Sequence, residues 1–198
     1  MIEQKCRDLY QKILIEPILS FAGKFHPSII TLLSGIVGVL IIPMLYFNHK
    51  LAAIICLLIS GYLDTLDGSV ARQLNKTSDL GSMLDIIVDR IVEGSVLFGF
   101  FLINPANGIL CFLMLFANLI CVTAFLVVGI FVRQNNDNKS FFYSPGLIER
   151  AEAFIFYILM IIFPQSFKIL AIIYIILVLI SASLHLGFFY RWQKPKNT

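Results

Sequence analysis

Four aspartates stand in an otherwise apolar part of this chain: Asp64 and Asp67 are three residues apart, Asp85 and Asp89 four apart. On a helix either spacing puts both carboxylates on one face, about a turn from each other. A carboxylate at membrane depth is costly, and it is tolerated when a cation, a proton or water accompanies it. Four at this spacing point to bound metal. Hard oxygen donors on rigid helices favour Mg²⁺ or Mn²⁺ over softer metals. No His or Cys occurs within residues 61–90, which argues against zinc. Gly68 and Gly81 omit a side chain where a substrate or a neighbouring backbone must come close. Arg72, one turn beyond Gly68, offers a fixed fork of donors to a phosphate.

The rest of the chain must hold those groups at a membrane face. Of its 198 residues, 59% are hydrophobic and 14% charged, where a soluble domain carries about 25% charged residues. Mean hydropathy is +0.88. The length suits a single membrane domain over residues 1–198, an all-α integral membrane protein with six spans of roughly 20 residues each. The formal charge is only +3, with no basic run and no recognition motif, so nucleic-acid binding has no support. Cys6, Cys56, Cys111 and Cys121 form no CxxC pair and read as small apolar residues. No cleavable signal peptide is expected, because acids and bases run through the first 25 residues.

Residues 1–25 read as an interfacial amphipathic helix, kinked or divided at Pro17. Leu9, Ile13 and a later cluster of Ile15, Ile18, Leu19 and Phe21 supply its apolar side, and Lys5, Arg7, Lys12 and Lys24 supply basic groups for lipid headgroups. A disordered, charged N-terminus is the alternative. A six-helix core over 27–190 follows, with spans predicted at Pro27–Phe47, Lys50–Leu74, Asp79–Ile103, Gly108–Val132, Gly146–Phe163 and Phe167–Tyr190. Turns are predicted at Asn48–His49, Asn104–Gly108 and Pro164–Ser166, and a longer polar connector at Gln134–Pro145. The short link from Arg72 to Asp79 predicts that the second and third spans are antiparallel neighbours whose acidic faces meet. With six spans, 12 of the 15 Lys and Arg residues share the side of both termini, Lys50 and Lys168 lie opposite, and Arg90 is within a span. This split makes the termini and the aspartates cytoplasmic.

The aspartates belong to a longer pattern: Asp64-x2-Asp67-Gly68-x2-Ala71-Arg72-x8-Gly81-x3-Asp85-x3-Asp89. It resembles the signature of the CDP-alcohol phosphotransferase (CDP-alcohol phosphatidyltransferase) family, with every fixed position present, over the 26 residues from Asp64 to Asp89. The resemblance implies a small prokaryotic-type enzyme of the inner (cytoplasmic) membrane. It would move a phosphatidyl group from CDP-diacylglycerol to the hydroxyl of a small polar alcohol and release CMP. It also implies two divalent ions on Asp64, Asp67, Asp85 and Asp89, with Asp89 doubling as the general base, and a homodimer. Gly68, Arg72, Ser78 and Gly81 would serve the donor. Ser28 and Thr31 resemble the family's nucleotide-touching motif at the start of the first span, although the family often has Asn or Asp where Ser28 stands.

Arg133, Lys139 and Arg150 gather around the fourth-to-fifth connector. They suit the phosphate of an acceptor such as inositol phosphate or glycerol 3-phosphate, or else they only set topology. Arg90 directly after Asp89 and the run Gly146–Arg150 resemble inositol-phosphate-type members. An unphosphorylated acceptor, inositol or serine, is the alternative. A cation transporter is a remoter one: a cation path does not need Arg72, and no inverted repeat is visible. A non-catalytic scaffold has no reason to bury four carboxylates. Glu93 is predicted to pair with Arg90, one turn earlier. Ser78 and Asp79 are alternatively helix-capping residues. His26, His49 and His185 read as packing or interfacial residues, and Phe141, Phe142, Tyr143 and Trp192 as interfacial anchors.

Overall fold

The computed structural model describes Pro17, Ala22, Gly23, residues 25–134 and residues 146–193. Among them are seven α-helices and no strand: α1 (Pro27–Val39), α2 (Ile41–Tyr46), α3 (Lys50–Gln73), α4 (Asp79–Ile103), α5 (Gly108–Gln134), α6 (Arg150–Ile162) and α7 (Phe167–Gln193). Most of the expected interfacial helix, together with Lys139 and the aromatic anchors Phe141, Phe142 and Tyr143, lies outside the described residues. Among the described residues, four stretches are long and apolar enough to cross a membrane: Pro27–Tyr46, Lys50–Gln73, Pro105–Val132 and Pro164–Gln193. α4 has the length, but it carries Asp79, Asp85, Asp89, Arg90 and Glu93.

Two expected spans differ. The first is broken at Leu40, between α1 and α2. Pro43 explains the break: its ring collides with the carbonyl four residues back, and that carbonyl belongs to Val39, the last residue of α1. The fifth is shorter than Gly146–Phe163, because α6 has only 13 residues. At 1.5 Å per residue that is about 20 Å, less than the roughly 30 Å hydrocarbon core. α6 starts late because the Glu152 carboxylate accepts the Glu149 N–H at 3.2 Å and fixes the first turn there. It ends at Phe163, whose helical conformation is disfavoured by Pro164.

Two asparagines close helices in the same way. Asn48 has φ 59° and Asn75 φ 52°, a left-handed conformation that asparagine accepts more readily than most residues. At the end of α3, the Lys76 N–H donates to the Ala71 carbonyl at 2.9 Å and the Asn75 N–H to the Arg72 carbonyl at 3.3 Å. After α2, the His49 N–H reaches the Met44 carbonyl at 2.8 Å and the Asn48 N–H the Leu45 carbonyl at 2.9 Å. These pairs satisfy the carbonyls a helix end leaves over. The first of them turns the chain from one acidic helix towards the other.

The described residues form two compact units, one within Glu3–Cys111 and one within Phe112–Thr198. In the first, α1 and α2 pack along both α3 and α4. α3 and α4 pack more extensively on α1 than on each other, yet the carboxylates of Asp64, Asp67 and Asp85 come within 4.8 Å of one another, so the acidic faces meet as expected. Small residues let α1 pack this closely. Ser34 Oγ donates to the Ser60 carbonyl at 3.0 Å. A Cβ on Gly35 would lie 3.1 Å from Val88 Cγ1, and one on Gly38 would collide with Val92. Between lipid-embedded helices, close packing and hydrogen bonds replace the missing hydrophobic drive. Gly38→Ala is therefore expected to cost about 1–3 kcal/mol, read as a lower thermal midpoint in detergent. Adding Val92→Ala should recover most of it, and an unchanged midpoint in the single variant would contradict this packing.

The second unit is pinned by a buried polar ring. Asn118 Nδ2 donates to Tyr157 Oη at 3.1 Å, Tyr174 Oη donates to Asn118 Oδ1 at 2.8 Å, and the two phenol oxygens are 3.0 Å apart. The ring fixes the register of α5, α6 and α7 while satisfying its own polar atoms. Meanwhile Leu32, Leu33, Ile36, Ile172 and Ile176 are exposed. Polar atoms inside and large aliphatic groups outside is the arrangement that suits a lipid solvent.

Candidate active site

The C-terminal half of α3 and the N-terminal half of α4 carry the acids. Asp64, Asp67 and Asp85 each offer one carboxylate oxygen, and the three atoms lie within 4.8 Å of one another. Opposed ligands of an octahedral Mg²⁺ are about 4.2 Å apart, so small side-chain rotations would let the trio share one ion. Three like charges this close repel, and a cation among them offsets that repulsion. The donor set and its spacing thus fit a hard divalent metal. Asp67 is buried; Asp64 and Asp85 are half-buried.

Asp89 is outside this tight group. It sits one turn further along α4, with an oxygen 3.9 Å from Arg90 Nη2. Arg90 Nη1 holds the buried Glu93 at 2.7 Å, the pairing predicted for Glu93. Its guanidinium therefore stands between two acids and balances their charge within α4.

The expected donor residues cluster at the same end of the first unit. The Arg72 side chain folds back over Gly68, where a Cβ would come 3.4 Å from its Nη1. Ser69 steers it: Ser69 Oγ accepts from Arg72 Nη2 at 3.2 Å and donates to the Thr65 carbonyl at 2.9 Å. Ser78 caps α4 by accepting the Gly81 N–H at 3.0 Å, the alternative foreseen for it. The Ser28 N–H donates to His26 Nδ1 at 3.4 Å, so His26 caps α1. Thr31 Oγ1 donates to Asp67 Oδ2.

Arg150 belongs to the second unit. It is the first residue of α6, and its guanidinium carbon is 5.4 Å from the centre of the Phe154 ring. The non-helical stretch before it is tied to α7. Ser181 Oγ accepts the Leu147 and Ile148 N–H groups at 3.0 and 2.8 Å and donates to the Leu177 carbonyl at 3.0 Å. Arg133 lies in the last turn of α5. Sequence reasoning passed over Ser69 and Ser181. An i+3 hydroxyl beside Arg72 was a usable signal for Ser69, whereas nothing local marks Ser181.

Comparison with known proteins adds findings of three kinds. The model of the CDP-alcohol phosphatidyltransferase family matches residues 24–186. Inner membrane protein YnjF of Escherichia coli (strain K12) is 35% identical over 148 residues, 71% of each chain. An archaetidylinositol phosphate synthase of Pyrococcus horikoshii is 34% identical over 73 residues, 37% of this chain and 39% of that one. Among solved structures, Mycobacterium tuberculosis phosphatidylinositol phosphate synthase with CDP-DAG bound superimposes with a TM-score of 0.75 at 18% identity, covering 92% of this chain and 96% of that one. A second crystal structure of that protein, in complex with manganese and citrate, gives 0.73 at 18% identity, covering 92% and 91%. At that identity the likeness is one of fold.

Proposed function

The chain belongs to the CDP-alcohol phosphatidyltransferase family, and from that premise we propose that its acceptor is a phosphorylated polyol of the inositol phosphate type. The phosphatidyl group of CDP-diacylglycerol passes to an acceptor hydroxyl, and CMP leaves. The observation that carries the reading is the carboxylate trio Asp64, Asp67 and Asp85. The acceptor class is supported by the archaetidylinositol phosphate synthase relative and by the solved structures of a phosphatidylinositol phosphate synthase.

Asp64, Asp67, Asp85 and Asp89 hold two divalent ions, Mg²⁺ or Mn²⁺; the manganese complex of the M. tuberculosis enzyme supports that choice. Such ions offset the pyrophosphate charge and the charge that develops on departing CMP. Asp89 takes the proton of the acceptor hydroxyl as that oxygen attacks phosphorus. Arg72 grips the donor pyrophosphate, with Gly68 leaving room for it, and Ser28, Ser78 and Gly81 line the donor's approach. Arg133, Lys139 and Arg150 bind the acceptor phosphate. The chain acts as one domain of six spans after an interfacial helix, as a homodimer in a prokaryotic inner membrane, with both termini and the site cytoplasmic. The name of the E. coli relative and the 12-to-2 charge split support that placement.

Steady-state kinetics with inositol phosphate test the acceptor assignment. A lost charge-assisted hydrogen bond is worth about 1.5–3 kcal/mol. Arg150→Ala should therefore raise the acceptor KM by about 10- to 150-fold and leave the CDP-diacylglycerol KM nearly intact. Unchanged acceptor KM and kcat would reduce the basic residues to a topology signal and favour unphosphorylated inositol or serine.

A further inference from the structure

We propose that Ser181 is a positioning residue for the acceptor: its hydroxyl fixes the backbone turn that carries Arg150 and so aims that guanidinium at the acceptor phosphate. This rests on the reading of Arg150 as a phosphate ligand. Ser181 is 0% exposed and stands in the middle of α7. Its Oγ accepts the Leu147 N–H at 3.0 Å and the Ile148 N–H at 2.8 Å, and it donates to the Leu177 carbonyl at 3.0 Å. A hydroxyl has one proton and two lone pairs, and here each has a partner. The proton goes back to a carbonyl of the same helix, which leaves both lone pairs for the incoming chain. The next amide, that of Glu149, is accepted by the Glu152 carboxylate at 3.2 Å. Three successive N–H groups are therefore held by side chains, and Arg150 follows them as the first residue of α6.

Both ends of the Arg150 side chain are placed. Its root follows a turn that runs close against α7: a Cβ on Gly146 would lie 3.4 Å from His185 Nε2 and 3.5 Å from Ser181 Cβ. Its tip rests on α6, where the guanidinium carbon is 5.4 Å from the centre of the Phe154 ring, within cation–π range. The level of the turn along α7 is fixed as well. Seven residues separate Arg150 from Tyr157 on α6 and Tyr174 from Ser181 on α7, two turns in each case. The Tyr157 and Tyr174 oxygens are 3.0 Å apart. The two helices are thus tied at two levels about 10 Å apart, by the phenols at one and by Ser181 at the other.

The test is steady-state kinetics of purified full-length protein with inositol phosphate and CDP-diacylglycerol, each varied in turn. It compares wild type, Ser181→Ala, Arg150→Ala and the double variant. A binding group misplaced by about 1 Å costs up to about 100-fold, so Ser181→Ala should raise the inositol phosphate KM by about 10-fold. The CDP-diacylglycerol KM should stay within about twofold of wild type. In the Arg150→Ala background the same change should move the acceptor KM by less than about twofold, because no guanidinium is left to aim. Ser181→Cys fills similar space with a weak acceptor and should resemble Ser181→Ala; it also takes the place of the alanine variant if that does not fold. A serine that only stabilised the fold would disturb both substrates alike, and equally with and without Arg150. An unchanged inositol phosphate KM in Ser181→Ala overturns the proposal, as does an equal rise in both backgrounds. So does a wild-type acceptor KM in Ser181→Cys, which would make the residue a space-filler. Unchanged acceptor KM in Arg150→Ala alone, or no use of inositol phosphate by the wild type, would instead remove the reading of Arg150 as a phosphate ligand, and the proposal with it.

Discussion

Replacing any one of Asp64, Asp67 and Asp85 with asparagine should abolish transfer from CDP-diacylglycerol. Asparagine keeps the size and one oxygen of the side chain but removes the charge that binds a cation. Metal stabilisation of a phosphoryl-transfer transition state is worth several kcal/mol, so each loss should be on the order of a thousandfold or more. A chelator should do the same to the wild type, and added Mg²⁺ or Mn²⁺ should reverse it. Stability separates this from simple damage. The three oxygens lie within 4.8 Å of one another, so removing one of three like charges relieves repulsion in metal-free protein. In chelator, each variant should unfold at or above the wild-type temperature. Full turnover in chelator would contradict the account.

Asp89→Asn should fail differently. Asp89 stands outside the tight trio, beside the Arg90–Glu93 pair. If it removes the acceptor proton, its loss should lower kcat by about 10²- to 10⁴-fold, the usual contribution of a general base. CDP-diacylglycerol should still bind with nearly wild-type affinity. The pair Asp67→Asn and Asp89→Asn, compared for Mn²⁺ affinity and for kcat, distinguishes a ligand from a base. Equal loss of Mn²⁺ affinity in both, with no further effect of Asp89→Asn on kcat at saturating metal, would make Asp89 a ligand only.

The legible parts of this molecule were those written in local spacing. The i, i+3 and i, i+4 aspartates defined two acidic faces, and the bounds predicted for the helices that carry them agree closely with α3 and α4. Asn48, and the proline turns at Pro105 and Pro164, marked helix junctions because each acts on its own backbone. Pro43 was equally local and was overlooked inside an apolar run, although its clash with Val39 is what divides the first span.

The rest depends on groups far apart in the chain. That α1 packs along both acidic helices follows from Ser34, Gly35 and Gly38, and small residues announce close approach without naming the partner. The bond from Thr31 to Asp67 spans 36 positions, so no local spacing announces it. Asn118, Tyr157 and Tyr174 stand on three different helices, so nothing in local spacing pairs them; only the fold closes them into a ring. The late start of α6 hangs on Glu152 and on Ser181, and the second lies more than 30 residues from the amides it holds.

The central claim is metal-dependent phosphatidyl transfer to a phosphorylated polyol. Its most direct test is purified protein with CDP-diacylglycerol labelled in the lipid, Mn²⁺ or Mg²⁺, and a panel of inositol phosphate, glycerol 3-phosphate, inositol and serine, with CMP and the lipid product both identified. The account predicts stoichiometric CMP and a phosphatidylinositol phosphate product, formed with metal and not in chelator. Transfer to inositol or serine in preference to either phosphorylated acceptor would contradict the acceptor assignment. No CMP from any acceptor in the presence of metal would contradict the proposed reaction.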